Sequence, residues 1–142
     1  RAAMARTVIA YVEWLRDDVR KALAGSKRFM PPGRFMHLAE HGRNIASLGQ
    51  CAGEGWLLTA EMAEFLENGV PNILCVQPFG CLPNHIIGRG MFKEIKRRYP
   101  HANLAAIDYD PGASQGNQIN RIRLLMAVAL EKTLSGPCRL LR

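Results

Sequence analysis

The chain has 142 residues, 48% of them hydrophobic and 22% charged, which suits a single domain with a real core. No apolar run approaches the roughly 20 residues that a membrane-spanning helix needs. Lys and Arg outnumber Asp and Glu by 19 to 12, a net charge of +7. That permits attraction to acidic ligands, but the basic residues are spread along the chain without a continuous run, which disfavours nucleic-acid binding.

The chain opens on Arg1 and no signal peptide is visible; a piece of something longer, or a processed product, is expected, with a cytoplasmic location. From Met4 to Ala24 the residues Val8, Val12, Leu15 and Val19 recur at steps of four and three, which predicts a helix with one apolar face. An ordinary core-facing helix is the favoured reading, with an exposed docking element as the alternative. Pro31-Pro32-Gly33 then breaks regular structure. Residues 1–33 are therefore expected to form an N-terminal helical arm, residues 34–136 an α/β domain, and residues 137–142, with Cys138, a loose tail.

Phe35 to Ala46 is ambiguous. Phe35, Leu38 and Ile45 can line a helix, Gly42 weakens it, and a hidden strand is the other option. His37 and His41 are four apart, but the Glu of a metalloprotease motif is missing, so surface histidines are the better reading. Gly49, Cys51, Gly53 and Gly55 punctuate a loop that matches neither a P-loop nor a dinucleotide fingerprint. Trp56 to Asn68 reads as a helix striped by Leu58, Met62, Phe65 and Leu66.

Asn72 to Val76 is a short apolar run bounded by Pro71 and Pro78, which predicts a strand. Gln77-Pro78-Phe79-Gly80-Cys81-Leu82-Pro83-Asn84-His85 reads as a long loop beyond it. Gly90 to Tyr99 follows as a basic amphipathic helix stopped by Pro100, and Asn103 to Asp108 as a second strand. Strand, crossover, strand predicts a parallel, right-handed unit with the loop at the carboxyl end of the first strand, where open α/β sheets place ligands. The expected fold is α/β: a small Rossmann-like three-layer unit, its short parallel sheet flanked by helices. Two strands make a poor sheet, so a hidden strand, a second copy or further domains are expected to complete it. A final helix, Gln115 to Leu134, is expected to turn Ile119, Ile122, Met126 and Leu130 inward, with Ser114 as its cap.

Cysteine usage gives no disulfide framework and no C-x-x-C zinc pattern. Cys81 stands in a loop between prolines, where a thiolate can be presented. Cys75 lies within a strand, where a small buried thiol is ordinary. Cys51, Cys75 and Cys81 are the candidate metal ligands, with His85 close by. Asp108 and Asp110 can bind a ligand or simply form the turn before Pro111.

The Gly53-Glu54-Gly55-Trp56-Leu57-Leu58-Thr59-Ala60-Glu61-Met62 stretch, the Gln77–His85 loop, Ala106 to Ser114 and Asn117-Gln118-Ile119-Asn120-Arg121 together resemble one family. It is the C-terminal region of the large activase-related proteins of the 2-hydroxyacyl-CoA dehydratase system. The resemblance covers roughly Gly53 to Val128, and the Q-P-F-G-C-L-P-N-H string is its most specific part. It implies a cluster-binding module of a protein that uses ATP, bound in other domains, to drive a low-potential electron into a dehydratase or another reductase. By resemblance Cys81 is a ligand of an iron–sulfur cluster completed by other parts of the parent, and the chain is not expected to act as an enzyme alone. The alternative from the residues is a binding module, with His85, Arg89, Asp108 and Asp110 around a CoA ester or nucleotide and Lys93 helping Arg89 to meet its phosphates. A non-catalytic structural domain, or a homodimer, is also compatible with the pattern.

Overall fold

The computed structural model describes residues 2–135, apart from the side chain of Ser135. The expected loose tail with Cys138 lies outside the described residues. Five α-helices and two strands follow one another: α1 (Ala2–Leu23), α2 (Phe35–Ile45), α3 (Trp56–Glu67), β1 (Asn72–Gln77), α4 (Phe92–Arg98), β2 (Asn103–Asp108) and α5 (Gln115–Ser135). A π turn (Asn84–Gly88) and a 3-10 turn (Arg89–Met91) lead directly into α4. The last part of the Gln77–His85 stretch, read from sequence as loop, is thus helical from Leu82 onward.

β1 and β2 pair in parallel with Asn72 opposite Asn103 and Gln77 opposite Asp108. Alternation along the strands puts Ile73, Cys75 and Gln77 on one face beside Leu104, Ala106 and Asp108. That face packs on α3 and α4 through Met62, Leu66, Ile73, Ile95, Ala102 and Leu104, with Ile95 fully buried. Burial of such aliphatic side chains stabilises the fold by about 1.5–3 kcal/mol each. α5 lies against the sheet, where Leu125 is buried and its carbonyl accepts from Asn103 Nδ2 at 2.9 Å. The result is the expected small α/β unit, layered helix, sheet, helix.

Phe35 to Ile45 is helix, and no strand lies there among the described residues. Gly42, which weakens the helix pattern, has a packing reason instead. A Cβ there would sit 2.8 Å from Trp56 Cε3 and 3.1 Å from Ala60 Cβ, so glycine lets α2 and α3 approach closely. Gly55 precedes α3 at φ 47°, and a Cβ would meet Gln50 O at 2.0 Å. Only glycine fits that turn, whose closing bond runs from Trp56 N–H to Gln50 O at 2.8 Å.

Two faces expected to point inward do not. α1 has no buried residue, and Val8, Val12, Leu15 and Val19 are all exposed. The helix is tied to the following segment by its polar face: Glu13 accepts from Phe35 N–H at 2.8 Å and also pairs with Arg20, and Arg16 donates to Gly33 O at 2.8 Å. On α5, Ile119, Ile122, Met126 and Leu130 are exposed. A sheet two strands wide offers too little surface to cover a 21-residue helix, and Leu125 alone reaches burial there.

Candidate functional site

The carboxyl end of β1 carries the side chain around which the site is built. Gln77 is 1% exposed, because its strand position faces α3 and the turn that follows. Its amide Nε2 donates to Asp108 Oδ1 across the sheet at 2.9 Å and lies 3.2 Å from His85 Nδ1. It is also 3.4 Å from His85 Nε2; an amide nitrogen only donates, so whichever ring nitrogen takes the bond is the unprotonated one. Gln77 Oε1 is buried with no partner. His85 Nε2 stands 3.9 Å from Asp108 Oδ1, within ion-pair reach when the ring is protonated. Three of the polar groups at this end of the sheet, one per element, are therefore linked through Gln77.

His85 is held there by the π turn. Thr59, fully buried on α3, donates its hydroxyl to Ile87 O at 2.6 Å. His85 N–H closes onto Cys81 O at 3.0 Å. Within the same turn Asn84 Nδ2 donates to Cys81 Sγ at 3.0 Å. Cys81 is partly exposed. The Cys51 loop adjoins it: a Cβ on Gly53 would lie 3.1 Å from Pro83 Cγ, so the two cysteine-bearing loops pack on one another.

Cys75 does not join them. It sits on β1 over α3, its Sγ 3.7 Å from Met62 Sδ. Burial pushes its thiol pKa up, which keeps it protonated and poor as a ligand. An iron–sulfur cluster takes several thiolates. Cys81 and Cys51 suit such ligation in chemistry and exposure. Among the described residues no group of three or more His, Cys, Asp or Glu is placed to hold a metal ion, so a cluster here would draw its other thiolates from outside them.

The second aspartate, Asp110, accepts the Phe79 N–H and so pins the start of the cysteine loop to the turn after β2. On the α5 side of this turn opens a cavity of about 580 Å³, lined by Phe79, Asp108, Asp110, Ser114, Gln118 and Arg121 among others. Gln118 Nε2 donates to Asp108 O at 2.9 Å and Arg121 Nη1 to Ala106 O at 3.2 Å. Arg89 is not part of this cavity. It lines a separate groove of about 370 Å³ with Phe92, Leu104 and Leu124, and Arg121 borders both.

Of the residues singled out from sequence, Cys81, His85, Asp108 and Asp110 gather at the carboxyl end of the sheet, while Cys75 and Arg89 face elsewhere. Gln77, Asn84, Gln118 and Arg121 were missed as site residues. The signal for Gln77 was a polar residue closing an apolar strand run on its inward phase. For Gln118 and Arg121 it was their spacing of three, which puts both on the α5 face toward the strand end.

No helix among the described residues is long and apolar enough to cross a membrane. Comparison with protein-family models, curated proteins and solved structures finds no match for this chain.

Proposed function

We propose that this chain is a cluster-associated redox module of a large activator-like protein of the 2-hydroxyacyl-CoA dehydratase system. Cys81 contributes a thiolate to an iron–sulfur cluster whose remaining ligands come from other parts of the protein, with Cys51 the nearest local addition. The module assists ATP-driven, low-potential electron transfer carried out with other domains, and the electron acceptor is a dehydratase or another reductase. The ATP that drives the transfer is hydrolysed in other domains.

The observation that supports this reading is the setting of Cys81. It is a partly exposed thiol beyond the carboxyl end of a parallel strand, with the Asn84 amide 3.0 Å from its sulfur. Hydrogen bonds to ligand sulfurs are one of the means by which proteins set cluster potentials. Gln77, itself bonded to Asp108, meets His85 beside the same turn.

The test is anaerobic reconstitution with iron, sulfide and an added small thiol, which fills ligand positions that the chain does not. Wild type is expected to take up iron and sulfide and to develop a broad visible absorption band. Cys81→Ser is expected to lose most of both. Equal uptake by the two proteins, or none by either, refutes the assignment of Cys81.

A further inference from the structure

We propose that the cavity between the β2–α5 turn and the start of α5 is a nucleoside phosphate site, which goes beyond the redox reading and does not depend on it. At about 580 Å³ the cavity lies within the range of small-ligand sites, about 300–1,000 Å³. It opens beyond the carboxyl ends of the two parallel strands, where the loops of an open α/β sheet diverge.

Three kinds of side chain close it, and each answers to a different part of one ligand. Phe79, on the loop after β1, is 79% exposed and lines the mouth. An aromatic ring left open to water at the rim of a cavity is a stacking surface for a planar base. Asp110 has one carboxylate oxygen, Oδ2, taken by the Phe79 N–H, whereas Asp108 turns its carboxylate to Gln77 and His85 on the other face of the sheet. The other oxygen of Asp110 remains to accept a hydroxyl donor, which suits a ribose hydroxyl. Arg121 binds only the Ala106 carbonyl, through Nη1. It has no carboxylate partner among the described residues, so the rest of its guanidinium is available for a phosphate.

Hydrogen bonds within the chain tie the walls of the cavity to one another. Asp110 ties the Phe79 loop to the turn, Gln118 ties α5 to Asp108 O, and Ser114 Oγ caps the helix by accepting from Asn117 N–H at 3.4 Å. The Asp110 carboxylate makes a bare phosphate the poorer occupant, since repulsion would offset Arg121. A ligand carrying hydroxyls and a phosphate on one frame satisfies both signs of charge.

The test is a titration of the isotope-labelled chain with AMP, adenosine and inorganic phosphate, followed by amide resonances. AMP is expected to saturate shifts at Phe79, Asp108 to Gln118 and Arg121 with a Kd tighter than about 1 mM. Adenosine is expected to bind about tenfold more weakly, and phosphate alone weaker still. Phe79→Ala, a change at an exposed position, should weaken AMP and adenosine alike by about tenfold. Arg121→Gln should bring AMP down to the affinity of adenosine. The spectra of the free variants report that each retains the fold. No saturable shift with AMP, adenosine binding as tightly as AMP, or either variant titrating like wild type overturns the proposal. Iron uptake through Cys81 is unaffected by any of these outcomes.

Discussion

Replacing Gln77 by Glu changes one nitrogen to oxygen and should be among the costliest substitutions of this size in the chain. Gln77 is 1% exposed and its Nε2 stands 2.9 Å from Asp108 Oδ1. The variant exchanges a donor for a second carboxylate facing the first, in a site closed to water. Burial and the like charge both disfavour ionisation, and together they raise the pKa of such a carboxyl by about 2–4 units. At 1.36 kcal/mol per unit, the variant should be about 3–5 kcal/mol less stable than wild type at pH 7. The folded-state pKa of the new Glu lies above its unfolded value of about 4.3. Between the two values the folded state holds more protons, so relative stability is retained below about pH 4 and lost as pH rises through the folded pKa. Gln77→Leu separates burial from charge. It loses two hydrogen bonds but also removes the unpartnered Oε1, and these effects of about 1–3 kcal/mol each largely offset. Urea unfolding of the three proteins from pH 4 to 8 measures the difference. A Glu variant within about 1 kcal/mol of wild type at pH 7, or a penalty independent of pH, refutes the placement of Gln77 as a buried bridge.

Gly42→Val should destabilise by more than the helix propensity of valine restores, about 1–3 kcal/mol net by denaturant unfolding, because the new side chain meets Trp56 and Ala60. Cys51 and Cys81 should react with a thiol reagent in the native protein, whereas Cys75, whose thiol pKa is raised by burial, should react only on unfolding; mass spectrometry of timed alkylation reads the order. The Glu94 carboxyl is lowered to about 2 by hydrogen bonds from Arg97 and Arg98. Its contribution to stability is present above the ordinary carboxylate range and lost as pH falls toward 2, so Glu94→Gln should flatten that part of the acid unfolding profile.

The strands and α3 were legible because their signals are local. Asn72 to Val76 is short, apolar and bounded by prolines, and Trp56 to Asn68 carries a helical stripe. Cys81, His85, Asp108 and Asp110 were legible as a site because a parallel crossover brings both strand ends to one edge. What failed depended on how many partners an element has. The Val8–Val19 stripe of α1 and the Ile119–Leu130 stripe of α5 have helical spacing whether or not a surface exists to cover them, and the described sheet covers only Leu125. Gly42 looked like a weak point in a helix because its contact is with Trp56 and Ala60, distant in sequence. Cys75 and Cys81 are equally cysteine in the sequence; strand phase buries one against Met62 and a turn presents the other. Gln77 was overlooked because its role depends on register with Asp108, 31 residues away.

The measurement that bears most directly on the redox assignment is the midpoint potential of the reconstituted cluster in wild type and Asn84→Leu. Asn84 donates to Cys81 Sγ at 3.0 Å, and loss of a hydrogen bond to a ligand sulfur leaves more charge on it, which makes reduction harder. If Cys81 is a ligand, the leucine variant binds the cluster with iron content near that of wild type and its potential moves to a more negative value. An unchanged potential in a protein that still carries the cluster would show that Cys81 is not bound to it.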